Sequence, residues 1–131
     1  MSELWAVEGA QAHRGVTISG YPNLTMLLGP NSGLSYASAI HVVESQIKYV
    51  LQYLNALDRA GPGSALDVKP EVQAAYNGAL QAKLNGTVWA SGCNSWYINR
   101  QGRNTAIYAA PTSEYRKLMR RFDAESYTVR C

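Results

Sequence analysis

The turn Gly29-Pro30-Asn31-Ser32-Gly33 is the first stretch whose residue types could do chemistry. It stands between the five-residue apolar run at residues 24–28 and a long amphipathic pattern. Glycine lets a backbone approach a ligand closely, and the free N–H groups at a helix start point towards negative charge or a flavin carbonyl. The turn is therefore a candidate edge of an anion or flavin site, although a strand, a glycine turn and a helix also make an ordinary connection.

The stretch CNSWYINRQGRNTAIY interleaves aromatic side chains with arginines. Trp96, Tyr97 and Tyr108 are of the type that stacks on bases, and Arg100 and Arg103 are of the type that pairs with phosphates. The same pattern is typical of a β-hairpin with glycine at its turn and one face in the core. The pattern alone leaves both interpretations open.

Other candidate catalytic and metal-binding side chains do not assemble into a constellation. His41 and Glu44 share a helix face, but no third ligand clusters with them, which favours a solvated face over a metal site. Cys93 has no histidine near it in the sequence, which favours a buried, inert thiol over a nucleophile. Cys93 and Cys131 form neither a disulfide framework nor a zinc pattern. We therefore predict no catalytic residue and no metal ligand.

The composition is that of one domain with a single modest core, because the chain has 131 residues, 47% of them hydrophobic and 16% charged. The net charge of +3 is uneven: residues 100–131 carry seven Lys/Arg against three acids, or +4, and the rest carries −1. This asymmetry fits either an anionic partner or a solvated helix face. No leader or membrane-spanning pattern is visible, so we predict a cytoplasmic protein with no membrane contact.

Periodicity predicts a long helix as the main element that positions the turn. Ser35 or Ser38 can cap its start, and Gly61-Pro62-Gly63 ends it. Its predicted inward stripe recurs at spacings of four and three: Tyr36, Ile40, Val43, Ile47, Val50, Leu54 and Leu57. A second apolar stripe makes the apolar arc wider than one core layer needs: Ala39, Val42, Tyr49, Tyr53 and Ala56. We therefore expect a symmetric dimer joined through residues 36–57.

Two further helices and several short strands complete the predicted α+β, helix-led fold. Pro70 opens a helix that stops at Asn85-Gly86, and Thr112 caps a short final helix. The final helix is predicted to turn Tyr115, Leu118, Met119 and Phe122 inward and its basic residues outward. The inward positions predicted for the second helix are Val72, Ala75, Tyr76, Ala79, Leu80 and Leu84. Residues 61–69 are predicted as a loop, and the strands fall at 15–18, 24–28, 87–90 and in the hairpin at 95–109.

Three stretches resemble the C-terminal part of the class B flavin-dependent monooxygenases, the Baeyer–Villiger and 4-hydroxyacetophenone monooxygenase-like group. They are GYPNLTMLLGPNSGL running into VVESQIKYVLQYL, then LDVKPEVQAAYNGAL, then GTVWASGCNSWYINRQGRNTAIY with YRKLMRRFD behind it. The resemblance extends from about Glu8 to Asp123. It implies one subdomain over residues 1–131 and an incomplete piece of an FAD/NAD(P)-binding fold. Residues 1–60 resemble the end of the FAD domain, and 61–131 supply a helix, a hairpin and the basic helix.

The resemblance implies a fragment of an FAD- and NADPH-dependent monooxygenase that oxygenates ketones or soft heteroatoms via a flavin peroxide. The positions implied to lie near FAD are Gly29, Pro30, Asn31, Ser38 and Ala39. Trp96 is implied to lie near NADP. The chain lacks both dinucleotide-binding motifs of the family, so we expect that it binds no cofactor by itself and is inactive alone. It also departs from the family at Ala12-His13-Arg14-Gly15, where relatives often read A-Y-L-G.

A truncated or excised C-terminal piece is the natural interpretation of these departures. Its expected partners are the missing FAD/NADP domains or a second copy of the chain, with a small-molecule substrate for the parent enzyme. Two alternatives remain open: a free-standing basic and aromatic module that binds nucleic acid or another polyanion, with nucleic acid disfavoured, and a structural interaction domain without a ligand.

Overall fold

A computed structural model describes residues 1–33, 38–90 and 95–131, and it shows an α+β chain led by helices. The described residues contain four helices and two strands: α1 Ser2–Glu8, α2 Ala39–Ala60, β1 Ala65–Val68, α3 Pro70–Asn85, α4 Thr112–Met119 and β2 Tyr127–Arg130. Short 3-10 turns occupy Val88–Ala90 and Ala124–Ser126. The predicted α+β, helix-led class is therefore confirmed.

Helix α2 buries the second apolar stripe in place of the one predicted to face inward, of which Val50 and Leu57 are half-buried against the core. Val42, Tyr49 and Tyr53 are buried, whereas Ile40 and Leu54 of the predicted inward stripe are exposed. The tyrosines decide the orientation, since their rings pack in the core and their hydroxyl groups find partners there. The Tyr53 hydroxyl donates to the Leu66 carbonyl at 2.8 Å. Tyr36, which also belonged to the predicted stripe, lies outside the described residues.

The predicted dimer surface is wrong in one respect that follows from this orientation. It included Tyr49 and Tyr53, which the chain covers with its own α4 and sheet residues. Val42 and Tyr49 pack with Val16, Tyr115 and Met119, while Tyr53 packs with Leu66, Val68 and Tyr127. The apolar face of α2 that remains exposed is the one that carries Ile40 and Leu54.

The only sheet among the described residues forms where no strands were predicted. Strands β1 and β2 pair antiparallel, with Ala65 opposite Arg130 and Val68 opposite Tyr127. Residues 61–69 were predicted as a loop, which is wrong because β1 gains its ladder from a segment about sixty residues further along. The Arg130 guanidinium also contacts the Asp67 carboxylate at 2.8 Å.

Helices α3 and α4 pack through different kinds of residue. Leu80 and Leu84 of α3 are buried, as predicted. Ala75 and Ala79 were predicted to face inward but are exposed, because Gln73 and Asn77 occupy the buried face instead. These amides bind the backbone of the 11–20 segment: the Gln73 side chain accepts from Ser19 N–H at 2.8 Å, and the Asn77 side chain donates to Ala12 O at 3.0 Å. In α4, Tyr115 and Met119 are buried, Leu118 and the following Phe122 are half-buried, and the basic side chains are exposed.

The four predicted strand segments do not form strands in the described residues. Residues 15–18 are buried but contribute only an isolated bridge between His13 and Thr17, and residues 24–28 are irregular with an exposed end. Residues 88–90 form a 3-10 turn. The hairpin at 95–109 reduces to one bridge between Ile98 and Asn104. Around 104–107, side-chain hydrogen bonds occupy backbone groups that a strand would use: Asn104 Oδ1 accepts from Ala106 N–H and Ile107 N–H. Residues 15–18 and 24–28 instead form backbone bonds of turns and loops, such as Val16 N–H to His13 O and Met26 N–H to Val16 O.

Candidate functional site

The turn at residues 29–33 is fastened to the 104–107 segment. Asn31 donates through its backbone N–H to Thr105 O at 2.9 Å and through its side chain to Asn104 O and Ile107 O at 2.8 and 2.9 Å. Gly33 N–H donates to Ala106 O at 2.9 Å. The Asn31 side chain is 1% exposed. Asn31 therefore holds the turn from inside the protein, and its amide does not face solvent.

The glycines of the turn are required by contacts within the chain. A Cβ at position 29 would lie 2.3 Å from Gly15 O, and one at position 33 would lie 2.8 Å from Ala106 O. Both neighbours are backbone atoms, so the turn can approach them only without side chains at these positions. Asn31 adopts φ 55, in the left-handed region that asparagine tolerates better than most residues. The sequence signal G-P-N-S-G thus has a packing cause, whatever ligand the outer side meets.

The outer side of the turn and the start of α2 present small, accessible residues. Gly29 and Pro30 are half-buried, and Ser38 and Ala39 are exposed. The Ser38 hydroxyl caps the helix by accepting from Ile40 N–H at 3.3 Å. Residues 34–37, which join the two parts and include Ser35, lie outside the described residues. Of the residues predicted to lie near FAD, Asn31 is therefore buried. Gly29 and Pro30 are partly accessible to solvent, and Ser38 and Ala39 are exposed.

Trp96 stands on the surface with its indole ring largely free. It is 81% exposed and lies tilted against Tyr97, with ring centroids 4.5 Å apart. Tyr97 in turn meets the edge of Trp89 at 5.6 Å and packs on the cluster of Leu80, Leu84 and Ile107. The anchored Tyr97 therefore supports an exposed indole that is available to a partner.

The predicted basic and aromatic surface is not assembled in this loop. Tyr97 and Tyr108 are half-buried in the core cluster, and Arg103 turns inward to donate to Gln11 Oε1 at 3.2 Å. Burial lowers the pKa of Arg103, an effect that the nearby Glu8 opposes. Only Trp96 and Arg100 of the five predicted side chains are exposed, too few to form a stacking groove with a phosphate track.

A buried polar cluster around Asp123 was not predicted from the sequence. The Asp123 carboxylate contacts His13 Nε2 at 2.8 Å and Arg14 Nη1 at 3.3 Å, and it accepts a short hydrogen bond from the Tyr49 hydroxyl. The Tyr49 hydroxyl also meets the Tyr127 hydroxyl at 3.0 Å, which lies 2.9 Å from Thr17 Oγ1. No local pattern could reveal this cluster, because His13 and Asp123 are 110 residues apart.

The electrostatics of this cluster favour an ionised Asp123. Burial alone would raise the pKa of its carboxyl, but hydrogen bonds from His13, Ser126 and Tyr49 and the charge of Arg14 hold it well below its usual range. Burial raises the pKa of Tyr49 far above the usual tyrosine value and that of Tyr127 to about 12, so both hydroxyl groups remain protonated. The carboxylate of Asp123 is therefore ionised, its charge paired with that of Arg14 and stabilised by the hydrogen bonds that it accepts.

This cluster also positions the loop that supports the turn. Arg14 donates to Leu118 O at 2.9 Å, and its guanidinium lies 5.5 Å from the centre of the Tyr49 ring. The next residue, Gly15, supplies the carbonyl against which Gly29 packs. Gln46 adds a second support, since its side chain accepts from Leu28 N–H at 2.7 Å and donates to Tyr115. The candidate flavin turn is thus held by α2, α4 and the C-terminal segment together.

The remaining candidate side chains show no reactive arrangement. His41 Nδ1 and Glu44 Oε2 are 3.8 Å apart on an exposed helix face, and the described residues contain no group of three side chains that could hold a metal. Cys93 lies outside the described residues, and Cys131 is exposed. None of the helices in the described parts of the chain is both long and apolar enough to cross a membrane.

Comparison with known proteins gives relatives for nearly the whole chain, although no protein-family model matches it. A Baeyer-Villiger monooxygenase of Streptomyces coelicolor is 39% identical over 130 residues, which are 98% of this chain and 25% of that enzyme. Another, of Pseudomonas aeruginosa, is 44% identical over 122 residues, or 92% of this chain and 23% of that enzyme. An FAD-binding monooxygenase of Aspergillus niger is 31% identical over 121 residues, 89% of this chain and 20% of its own length.

Solved structures match the same part of the molecule. Oxidized steroid monooxygenase bound to NADP has a TM-score of 0.82 at 21% identity, over 98% of this chain and 24% of that one. The closed structure of cyclohexanone monooxygenase has a TM-score of 0.79 at 23% identity, over 98% and 25%. These likenesses show a shared fold. The chain spans about a quarter of the length of the relatives it matches, and the predicted resemblance to part of a Baeyer–Villiger-type monooxygenase is confirmed.

Proposed function

We propose that this chain is the C-terminal subdomain of an FAD- and NADPH-dependent monooxygenase that oxygenates ketones or soft heteroatoms. The observation that carries the proposal is the 39–44% identity to Baeyer-Villiger monooxygenases over 92–98% of the chain. The Aspergillus niger relative is an FAD-binding monooxygenase, and the steroid monooxygenase of similar fold is bound to NADP. Bound FAD would supply the reaction with O2, and NADPH would supply the reducing equivalents.

The accessible parts of the turn fit one edge of a flavin site. We assign Gly29 and Pro30 to contact with the flavin through backbone atoms, and Ser38 and Ala39 to the edge that the start of α2 provides. Asn31 acts from the other side, because its buried amide holds the turn on Asn104 and Ile107. These residues can form only one edge of a flavin site. This chain contains no dinucleotide-binding motif that could hold the pyrophosphate of FAD.

Trp96 is assigned to NADP. Its exposed indole has a face for stacking and an N–H for donation, and the ring of Tyr97 lies against it with centroids 4.5 Å apart. The chain provides no side chain that we assign to proton transfer. Its contribution to the reaction is to position the cofactors and to exclude water from one side of them.

The test of the proposed function is a graft in which residues 1–131 replace the matching segment of the Pseudomonas aeruginosa relative. We expect the graft to retain FAD and to oxidise NADPH in the presence of a ketone. Trp96→Ala should raise the KM for NADPH by about tenfold at unchanged FAD content, because base stacking contributes roughly 1–3 kcal/mol. Val88→Ala, which truncates another exposed apolar side chain, is the control. A folded graft that purifies without FAD would contradict the proposal.

The isolated chain is expected not to hold FAD. One turn cannot replace the dinucleotide-binding motif that supplies the pyrophosphate contacts. Purified protein should be colourless, and FAD added to it should keep the fluorescence of the free cofactor. Stoichiometric yellow protein with quenched flavin would show that the 131 residues contain a complete site.

A further inference from the structure

A groove lies between the C-terminal half of α2 and the segment at residues 122–129. Its volume is about 590 Å³, which is within the range of sites that hold small molecules. Its walls come from α2, from Leu66 of β1 and from residues 122–129. None of the described residues that line it is among those assigned above to FAD or NADP. The groove is therefore separate from the proposed cofactor contacts.

The floor of the groove is aromatic and is held in place by the chain itself. The ring centroids of Phe122 and Tyr127 lie 4.9 Å apart, with 31° between the ring planes. The Tyr127 hydroxyl is engaged with Thr17 Oγ1 at 2.9 Å, and Phe122 N–H donates to Gln52 Oε1 at 3.1 Å. Because both aromatic residues are fixed by these contacts, the floor is a preformed apolar surface that a ligand can cover at little ordering cost.

Alanine side chains leave the space above this floor. Ala56 and Ala60 stand one helical turn apart on α2, and Ala124 belongs to the opposite wall. A longer side chain at Ala60 would extend into the groove and fill part of it. A flat ring system suits the space that the alanines leave, since rings pack on aromatic side chains in offset or edge-to-face arrangements.

The rim of the groove carries one positive charge that the described part of the chain leaves unpaired. Arg59 and Asn55 line the groove one helical turn apart, and both are exposed. Neither side chain has a hydrogen-bond or ion-pair partner among the described residues. Gln52, which also lines the groove, already donates to Lys48 O and Arg120 O at 3.1 Å each. No carboxylate among the described residues lines the groove, so its rim favours an anion.

We propose that this groove binds a small carboxylate with a flat apolar body. The apolar body covers Phe122 and Tyr127, and the carboxylate pairs with Arg59, whose planar guanidinium matches the two oxygens of a carboxylate. The Asn55 amide is placed to donate to the same group. A carboxylate carries the single charge that one arginine compensates, whereas a phosphate monoester would bring a second charge that no other cation lining the groove could pair.

The ligand of this groove is distinct from the ketone and the cofactors of the proposed reaction. Arg59 stands near the end of α2, and Ala39 of the candidate flavin edge is its first residue. At a rise of 1.5 Å per residue, these two ends are about 30 Å apart. A small carboxylate cannot reach from one to the other. The inference therefore goes beyond the proposed function and does not depend on it.

Titration of the isolated chain with cinnamate tests the site, with cinnamamide as the uncharged probe of the same shape. We expect calorimetry to show saturable binding of one cinnamate per chain. Cinnamamide should bind about fivefold more weakly, which is the upper end of what an exposed ion pair gives. In NMR spectra of the isotope-labelled chain, the backbone amide shifts that cinnamate causes should concentrate at groove residues such as Ala56, Tyr127 and Val129.

Three variants separate the charge from the apolar floor. Arg59→Gln and Arg116→Gln remove the same charge at exposed positions, and only Arg59 lines the groove. Arg59→Gln should weaken cinnamate binding about fivefold and leave cinnamamide binding unchanged, whereas Arg116→Gln should change neither. Ala60→Leu, which fills part of the groove, should abolish the binding of both probes. Urea unfolding checks that each variant is folded, and the exposed Arg59 keeps the test decisive if Ala60→Leu is not.

Equal affinity of the parent and of Arg59→Gln for cinnamate would overturn the inference. So would the absence of saturable cinnamate binding, or amide shifts that concentrate on the exposed face of α2 around Ile40 and Leu54 instead of the groove. All of these measurements use the isolated chain without flavin. A graft that fails to retain FAD would therefore reject the proposed function and leave the carboxylate site standing, and loss of the carboxylate site would leave the proposed function untouched.

Discussion

Replacing Asp123 by asparagine is expected to lower the free energy of unfolding by about 3 kcal/mol, because breaking a buried ion pair strands the remaining charge. The asparagine would leave Arg14 near a neutral amide, and it would keep only one of the two carboxylate oxygens that separately bond His13 and Tyr49. Urea unfolding of the isolated chain at pH 7 measures the change. Asp58→Asn, at an exposed position on α2, should stay within about 0.5 kcal/mol of the unsubstituted chain.

The pH dependence of stability supplies a second test of the same variant. The pKa of Asp123 is lowered in the folded chain, so the unfolded chain binds more protons below about pH 4, the usual aspartate value. The contribution of Asp123 is therefore complete above about pH 4 and declines as the pH falls towards the lowered folded pKa. Asp123→Asn should flatten this acid limb of the stability curve. An acid limb of unchanged steepness would show that other carboxyl groups govern acid unfolding.

Replacing Gly29 by alanine is expected to destabilise the chain by about 3 kcal/mol, at the upper end of the cost of overpacking. The added Cβ would lie 2.3 Å from Gly15 O, and a backbone carbonyl cannot move aside as a flexible side chain can. The shift would reach His13 and Arg14, which precede Gly15 and contact Asp123. Thermal unfolding of the isolated chain measures the effect, and the FAD content of the graft shows its consequence for the proposed site.

The matched control for this change is Gly78→Ala. Gly78 lies inside α3 with nothing within 4 Å of the position that a Cβ would occupy, so alanine should stabilise the helix by about 0.5–1 kcal/mol. The same substitution is thus expected to have opposite signs at two glycines. A Gly29→Ala variant as stable as the parent would mean that the turn and the Gly15 loop can separate, and that the turn's glycines are present for another reason.

The local sequence was sufficient to predict where a helix begins and ends when the residues at its own ends determine those bounds. Pro70 begins α3 and Gly86 follows its last residue, because proline fits the first helical turn and asparagine-glycine ends a helix without any distant contact. The division of α4 into buried Tyr115 and Met119 and an exposed basic face also follows from spacing alone. The family resemblance belongs here as well, since it rests on short motifs that can be identified in one sequence.

The tertiary structure decided which apolar face of α2 is buried, which strands exist and what surrounds Asp123. Both faces of α2 are apolar, so periodicity could not decide whether the face of Ile47 or that of Tyr49 is buried. The choice depends on Asp123 and Tyr127, which lie far along the chain and form hydrogen bonds with the Tyr49 hydroxyl. Strand β1 exists because β2 pairs with it, and a four-residue strand carries too weak a pattern to be recognised alone. The glycines of the turn look the same in the sequence whether they face a ligand or the Gly15 carbonyl. Only the fold, by bringing residue 15 against residue 29, shows that the inner side of the turn is occupied by the chain itself.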